Sequence, residues 1–164
     1  MAEQILILTT GGTIDKIYFD ATSDYEVGES VIPALLRESG VSLDCRLVSL
    51  MRKDSLEITD EDRTNIRAAC VEAAENRIVI THGTDTMTKT AEALVGIAGK
   101  SIVLTGSLAP ARFRESDAVF NIGFALAAVQ AKTPGAYLAM NGRIFEAGKV
   151  VKNLKTRRFE KTSG

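Results

Sequence analysis

Cysteine and histidine are nearly missing from this 164-residue chain: there are two cysteines, Cys45 and Cys70, and one histidine, His82. Two unpatterned cysteines make no disulfide framework. Together with a single histidine they fall short of the three or four ligands a zinc site needs. Both thiols are expected to be reduced and packed as small hydrophobes, Cys45 in a strand and Cys70 on the apolar face of a helix. A surplus of one charge is missing too. The formal net charge is -1, so the molecule as a whole presents no strong field to nucleic acid or anionic lipid. No apolar run reaches the roughly 18 residues of a membrane span. The opening MAEQILILTT has no basic leader segment and reads as a first strand, which points to a cytoplasmic protein with no membrane partner.

What remains is an ordinary globular balance, 45% hydrophobic and 25% charged, expected to form one domain over residues 1–164. Strand-like and helix-like periods alternate along it. Strands are expected at 5–8, 42–50, 77–81, 101–105 and 136–140. Between them, helices are expected from Ser30 to Gly40, after a Thr59/Asp62 capping box, from Thr88 to Gly99, and over 116–131 with Val119, Ile122, Leu126 and Val129 toward the sheet. Asn141-Gly142 signals a two-residue hairpin returning at 143–145, and Val150-Val151 adds a short strand. Residues 17–28 carry no period and read as a long functional loop. The fold class is α/β, a doubly wound and mostly parallel sheet of Rossmann or flavodoxin type, with a hairpin near its carboxyl end.

Three of the strands end in the same chemistry. Apolar runs break into TTGGTID, THGTDTM and TGSLAP, so small hydroxyls and bare backbone N–H groups gather at the carboxyl edge of the sheet, where open α/β folds hold ligands. The first turn lacks both the third glycine of a dinucleotide fingerprint and the GK[ST] of a phosphate loop. The other reading makes Thr13 a nucleophile, with Gly11 and Gly12 turning the backbone sharply and lending N–H groups to an oxyanion hole. Thr84 and Asp85 form a second hydroxyl–carboxylate pair, although Asp85 alone is equally suited to capping the next helix. His82 reads as a hydrogen-bonded structural residue rather than a base. A threonine hydroxyl needs a neighbour to take its proton. The candidates are Tyr25 on the long loop and Lys152 beyond the hairpin, each of which also has an ordinary reading, as loop packing and as a solvated surface lysine.

Through TTGGTID, HGTDTM and MNGRIFEAGKVVKN the chain resembles the bacterial-type L-asparaginases. The likeness continues through YEVGE, KDSLEITDED and TGSLAPARFRESDAVFNI, most like short proteins that match only the amino-terminal domain of the larger enzymes. The resemblance implies hydrolysis of the side-chain amide of L-asparagine or a related small amide, with neither metal nor organic cofactor. Thr13, Tyr25, Thr84, Asp85 and Lys152 are the implied catalytic residues. Gly12, Ser55, Glu57, Gly83, Thr84 and Asp85 are the implied substrate-binding residues, Ser55 for the α-carboxylate and Asp85 for the α-amino group.

Three departures stand out. The resemblance stops short of the family's carboxyl-terminal domain, which lends an acidic residue, so Glu57 or a partner subunit is expected to supply that residue. Leu56 follows Ser55 where the family has a polar residue, and Ala109 replaces a commonly basic one. A homodimer or homotetramer is expected, since an open rim invites a symmetric partner. Nucleic acid is not expected as a partner, although the basic KVVKNLKTRRFEK and the existence of tRNA-dependent amidotransferases in the family keep an RNA-acting subunit as an alternative. A weakly catalytic amino-acid-binding or regulatory domain is the other alternative.

Overall fold

The computed structural model describes residues 3–163, so Met1, Ala2 and Gly164 of the expected 1–164 domain lie outside it. Strand β1 (Ile5–Gly11) is buried along its whole length. Its alternate side chains enter two cores: Leu6 and Leu8 join one, Ile5 and Ile7 the other. Side chains on a strand alternate between faces, and a strand covered on both faces reads as an unbroken apolar run. That is why ILIL carries no polar alternation.

The chain continues through the hairpin β2 (Lys16–Phe19) and β3 (Asp24–Val27), α1 (Ile32–Glu38), β4 (Cys45–Lys53), α2 (Asp60–Glu72) and β5 (Arg77–Thr81). It then forms α3 (Met87–Ala93), β6 (Ser101–Thr105), α4 (Ala118–Ala131), β7 (Gly135–Met140), β8 (Arg143–Glu146), β9 (Val150–Asn153) and β10 (Arg158–Lys161). The central sheet has the order β4-β1-β5-β6-β7-β8. The first five strands are parallel and β8 runs antiparallel to β7. Ile66 and Cys70 of α2 and Met87 and Ala91 of α3 pack on one face; Ile32 and Leu35 of α1 and Ile122 and Leu126 of α4 pack on the other. The doubly wound α/β expectation holds. In chain order the parallel strands run second, first, third, fourth, fifth, the flavodoxin arrangement, whose switch point lies between β1 and β5.

Several local expectations need correcting. Residues 17–28 are largely a hairpin, Lys16 pairing with Val27 and Tyr18 with Tyr25; its polar, aromatic residues have no buried face to impose a period. The strand expected at 42–50 is displaced to Cys45–Lys53. Ser30 is not the cap residue of α1. The N-cap residue is Val31, but Ser30 Oγ still accepts from Ile32 N at 3.3 Å at the start of the helix, and Asp15 Oδ1 holds both residues, accepting from Val31 N at 3.0 Å and from Ser30 Oγ at 3.1 Å. Helix α3 stops at Ala93 rather than Gly99, because Gly96 and Gly99 take φ of +86° and +72°, a left-handed backbone that ends helices. Val119 is 55% exposed, and Asn121 takes the inward place, its amide bonded to Gly106 O at 2.9 Å. The α4 sequence holds no charged residue to mark an outer face, so its orientation is decided by packing.

The Thr59/Asp62 capping box forms as expected, and the Asn141-Gly142 turn has positive φ at both residues, the primed turn that matches strand twist. The basic end is more ordered than expected. It folds as the β9–β10 ladder with Val150 and Phe159 buried. Asn141 Oδ1 accepts from Phe159 N at 2.8 Å and ties the two hairpins together. Both cysteines are free; Cys70 is buried and Cys45 half-buried.

Candidate active site

The loops after β1 and β5 flank the switch point, and they are two of the three glycine-bearing turns. Their backbones nearly touch. A Cβ on Gly12, whose φ is +86°, would lie 2.4 Å from Gly83 N, and one on Gly83 would lie 2.5 Å from Ser55 Cβ. Only bare backbone permits this stacking. Gly12, Gly83 and Ser55 are thereby packed against one another, and Thr13 opens a short 3-10 turn directly after Gly12.

Ser55 is buried at the start of a second 3-10 turn. Its Oγ accepts from Asp85 N at 3.2 Å, and its carbonyl accepts from Thr86 Oγ at 2.7 Å. Asp85 does not cap α3; Thr86 is the N-cap residue, with no side-chain cap bond. The Asp85 carboxylate is instead 2.6 Å from Lys152 Nζ, which also donates to Thr84 Oγ1 at 2.7 Å. Lys152 comes from β9. It shares the inward side of that strand with buried Val150, and its side chain is 11% exposed against 44% for Asp85. A solvated surface role for Lys152 is thus ruled out. A hydroxyl, an amine and a carboxylate meet in consecutive contact, the set needed to move a hydroxyl proton and hold the resulting ammonium.

Two expected residues have other surroundings. Tyr25 packs edge-on against Tyr18 and Phe113, each at 5.4 Å between ring centroids, and among the described residues its hydroxyl makes no hydrogen bond to Thr13. Glu57 closes the capping box of the 3-10 turn, its Oε2 accepting from Asp54 N at 3.4 Å. The oxyanion reading of the first turn also changes. Gly12 N donates to Lys53 O at 2.9 Å and is not free for a substrate, whereas Gly83 N makes no hydrogen bond among the described residues. Leu56 is 74% exposed beside Ser55 and gives the rim an apolar edge.

Behind the site lies a layer that the motifs alone did not reveal. Asp15, two residues past Thr13, is buried, and burial pushes its carboxyl up to about 6 against the lowering effects of Val31 N–H, the Ser30 hydroxyl and Arg52. His82 is fully buried, with Nδ1 2.7 Å from Gly83 O and Nε2 2.8 Å from Thr90 Oγ1. Burial pushes its imidazole down to about 4, with Arg63 adding to the fall and the Gly83 carbonyl opposing it. It is a neutral, hydrogen-bonded residue, as its place beside a turn suggested. Among the described residues no three His, Cys, Asp or Glu side chains gather where a metal ion could be held.

A family description, "Asparaginase, N-terminal", matches residues 4–161. The chain belongs to the asparaginase family. It is 34% identical over 159 residues to an L-asparaginase of Thermococcus kodakarensis, covering 91% of this chain and 47% of the relative. The solved structure of the thermostable L-asparaginase from that organism superposes with a TM-score of 0.81 at 29% identity, over 96% of this chain and 51% of the other. A glutaminase-asparaginase of Acinetobacter glutaminasificans is 30% identical over 171 residues, 94% of this chain and 52% of the relative. One subunit of the glutamyl-tRNA(Gln) amidotransferase of Aeropyrum pernix is 31% identical over 156 residues, 85% of this chain and 35% of the relative. The chain thus spans about half the length, or less, of the curated relatives it matches.

Proposed function

We propose that this chain carries the amide-hydrolysing site of an asparaginase-type enzyme. It would cleave the side-chain amide of L-asparagine, with glutamine as the neighbouring candidate, to a carboxylate and ammonia by a threonine nucleophile. The observation that carries this reading is the position of Lys152 Nζ, 2.7 Å from Thr84 Oγ1 and 2.6 Å from Asp85 Oδ1. In its amine form Lys152 takes the Thr84 proton as the oxygen attacks the amide carbon. Asp85 stabilises the ammonium so formed. The proton then passes to the leaving nitrogen, the C–N bond breaks, ammonia departs, and an acyl ester stays on the threonine. Water attacks that ester, giving one proton through Lys152 back to the threonine and releasing the acid. Thr13 is the second candidate nucleophile, supported by the approach of Gly12 to Gly83. Tyr25 keeps a supporting role in the proposal only if its hairpin moves toward Thr13, and Ser55 is the substrate-carboxylate candidate. No cofactor enters the scheme.

The test is ammonia release from asparagine and glutamine by the wild type, Thr13→Ala and Thr84→Ala. Loss of release in one threonine variant names the nucleophile. Calorimetric binding with no release above either threonine variant supports the weakly catalytic binding domain instead. Similarity to the Aeropyrum amidotransferase supports a second reading, action on an amino acid carried by tRNA. That reading requires tRNA binding at low salt, where phosphate-driven affinity is greatest. A cytoplasmic setting and a homodimeric or homotetrameric assembly belong to the same proposal, and sedimentation of the purified chain tests the assembly.

A further inference from the structure

Three buried side chains stand in line behind the β5 loop and point at one peptide group. Arg63 Nε is 3.1 Å from Thr90 Oγ1, Thr90 Oγ1 is 2.8 Å from His82 Nε2, and His82 Nδ1 is 2.7 Å from Gly83 O. The exposures of Arg63, Thr90 and His82 are 5%, 0% and 0%. Hydrogen-bond chemistry permits one assignment of the protons. A carbonyl oxygen only accepts, so Nδ1 must carry the ring proton. In a neutral imidazole Nε2 then only accepts, and the Thr90 hydroxyl must donate to it. That leaves the Thr90 lone pair for the guanidinium N–H of Arg63, which is itself held by Asp60 Oδ1 at 3.2 Å. Along this line each donated proton has its acceptor, and turning the ring over would leave Gly83 O without a donor.

The consequence falls on the neighbouring N–H. In a trans peptide the C=O and the following N–H point in opposite directions. With Gly83 O drawn inward to His82, the Thr84 N–H is turned away from the ring, on the residue whose hydroxyl Lys152 holds. We propose that His82, braced by Thr90 and Arg63, is a positioning residue that sets the Gly83–Thr84 peptide so that Thr84 N–H meets the oxygen of the reacting amide. This rests on the amide-hydrolysis reading above. His82 itself moves no proton and touches no substrate. It explains why a buried histidine stands next to this loop when an apolar side chain would fill the same space.

Two substitutions separate positioning from packing. His82→Asn keeps a nitrogen on the atom bonded to Cβ and so keeps a donor for Gly83 O. His82→Gln reaches toward Thr90 and leaves Gly83 O without its donor. Ammonia release from asparagine should remain within about 3-fold of the wild-type kcat in His82→Asn. In His82→Gln it should fall about 10- to 100-fold with KM little changed, since a misdirected oxyanion donor is felt in the transition state. Equal losses in the two variants would overturn the proposal and reduce His82 to core filling. Nitrogen-15 NMR of the labelled wild-type chain gives an independent arm: Nδ1 should be protonated and Nε2 bare, and the opposite tautomer would overturn the assignment whether or not either variant folds. If the wild type releases no ammonia from asparagine or glutamine, amide hydrolysis fails as a reading. The tautomer then decides the peptide placement alone, together with a Thr84 amide shift that moves in His82→Gln and stays in His82→Asn.

Discussion

Asp15 and His82 should pull the stability of this protein in opposite directions between pH 7 and 5, and removing either should expose the other. Burial raises the Asp15 carboxyl from 3.8 to about 6. The folded state therefore binds more protons than the unfolded chain between those values, and stability rises as pH falls. Burial lowers the His82 imidazole from 6.5 to about 4. Here the unfolded chain binds more protons, and stability is lost as pH falls. Integrated from pH 7 to 5, each contribution is on the order of 1–2 kcal/mol, a gain for Asp15 and a loss for His82, so the two oppose one another. The carboxylates held low by partners, such as Asp62 beside Lys53 and Glu75 beside Arg46, titrate mainly below this window. In urea unfolding at the two pH values, Asp15→Asn should lose on the order of 1–2 kcal/mol on acidification and His82→Asn should gain a similar amount, with unchanged m-values. An asparagine at 15 can still accept from Val31 N and Ser30 Oγ, so these bonds survive the change. A flat profile in Asp15→Asn, or an acid-labile one in His82→Asn, would refute the assignment of these two groups as the opposed titrators.

Lys152→Met removes the amine that Thr84 and Asp85 share, and kcat for ammonia release should drop about 10²- to 10⁴-fold while the far-ultraviolet dichroism stays that of the wild type. Gly12→Ala forces a side chain into a glycine-only backbone conformation, costing about 1–3 kcal/mol before any clash. Since its Cβ would also overlap Gly83 N, urea unfolding should report a larger loss and ammonia release should vanish with it. Leu138→Ala, at a fully buried position on β7, the strand next to the sheet's edge, should destabilise by about 2–5 kcal/mol with KM unaltered if the sheet serves only as scaffold. Ser55→Ala should raise KM for asparagine more than it lowers kcat; a KM within 2-fold of wild type, on the order of 0.4 kcal/mol, would remove Ser55 from substrate binding.

The strands and the location of the candidate site were legible because they rest on local pattern. Runs such as ILIL and IVIT can be satisfied only by burial on both faces, and a glycine after such a run can only be a turn at the strand's end. Asn141-Gly142 specified its turn through the backbone freedom of two residues. What the pattern could not reach were contacts made across the chain. Lys152 lies 68 residues from Thr84, and nothing in KVVKNLKTRRFEK separates a buried lysine from the solvated ones beside it. The resemblance supplied that pairing, and the packing of β9 accounts for it. Asp15, to which the motifs gave no role, accepts from Val31 N and Ser30 Oγ at the start of a helix it does not belong to. The amphipathic marks that orient a helix are missing from α4, so the inward turn of Asn121 and the outward turn of Val119 had to come from the sheet.

Read alone, the order of residues determined where this backbone is straight, where it turns, and which turns are bare enough for another loop to approach. Tertiary structure decided which loops meet, because that depends on strand order. Placing β1 beside β5 stacks Gly12 on Gly83, and only then do a carboxylate and an imidazole lose their water and shift in opposite directions.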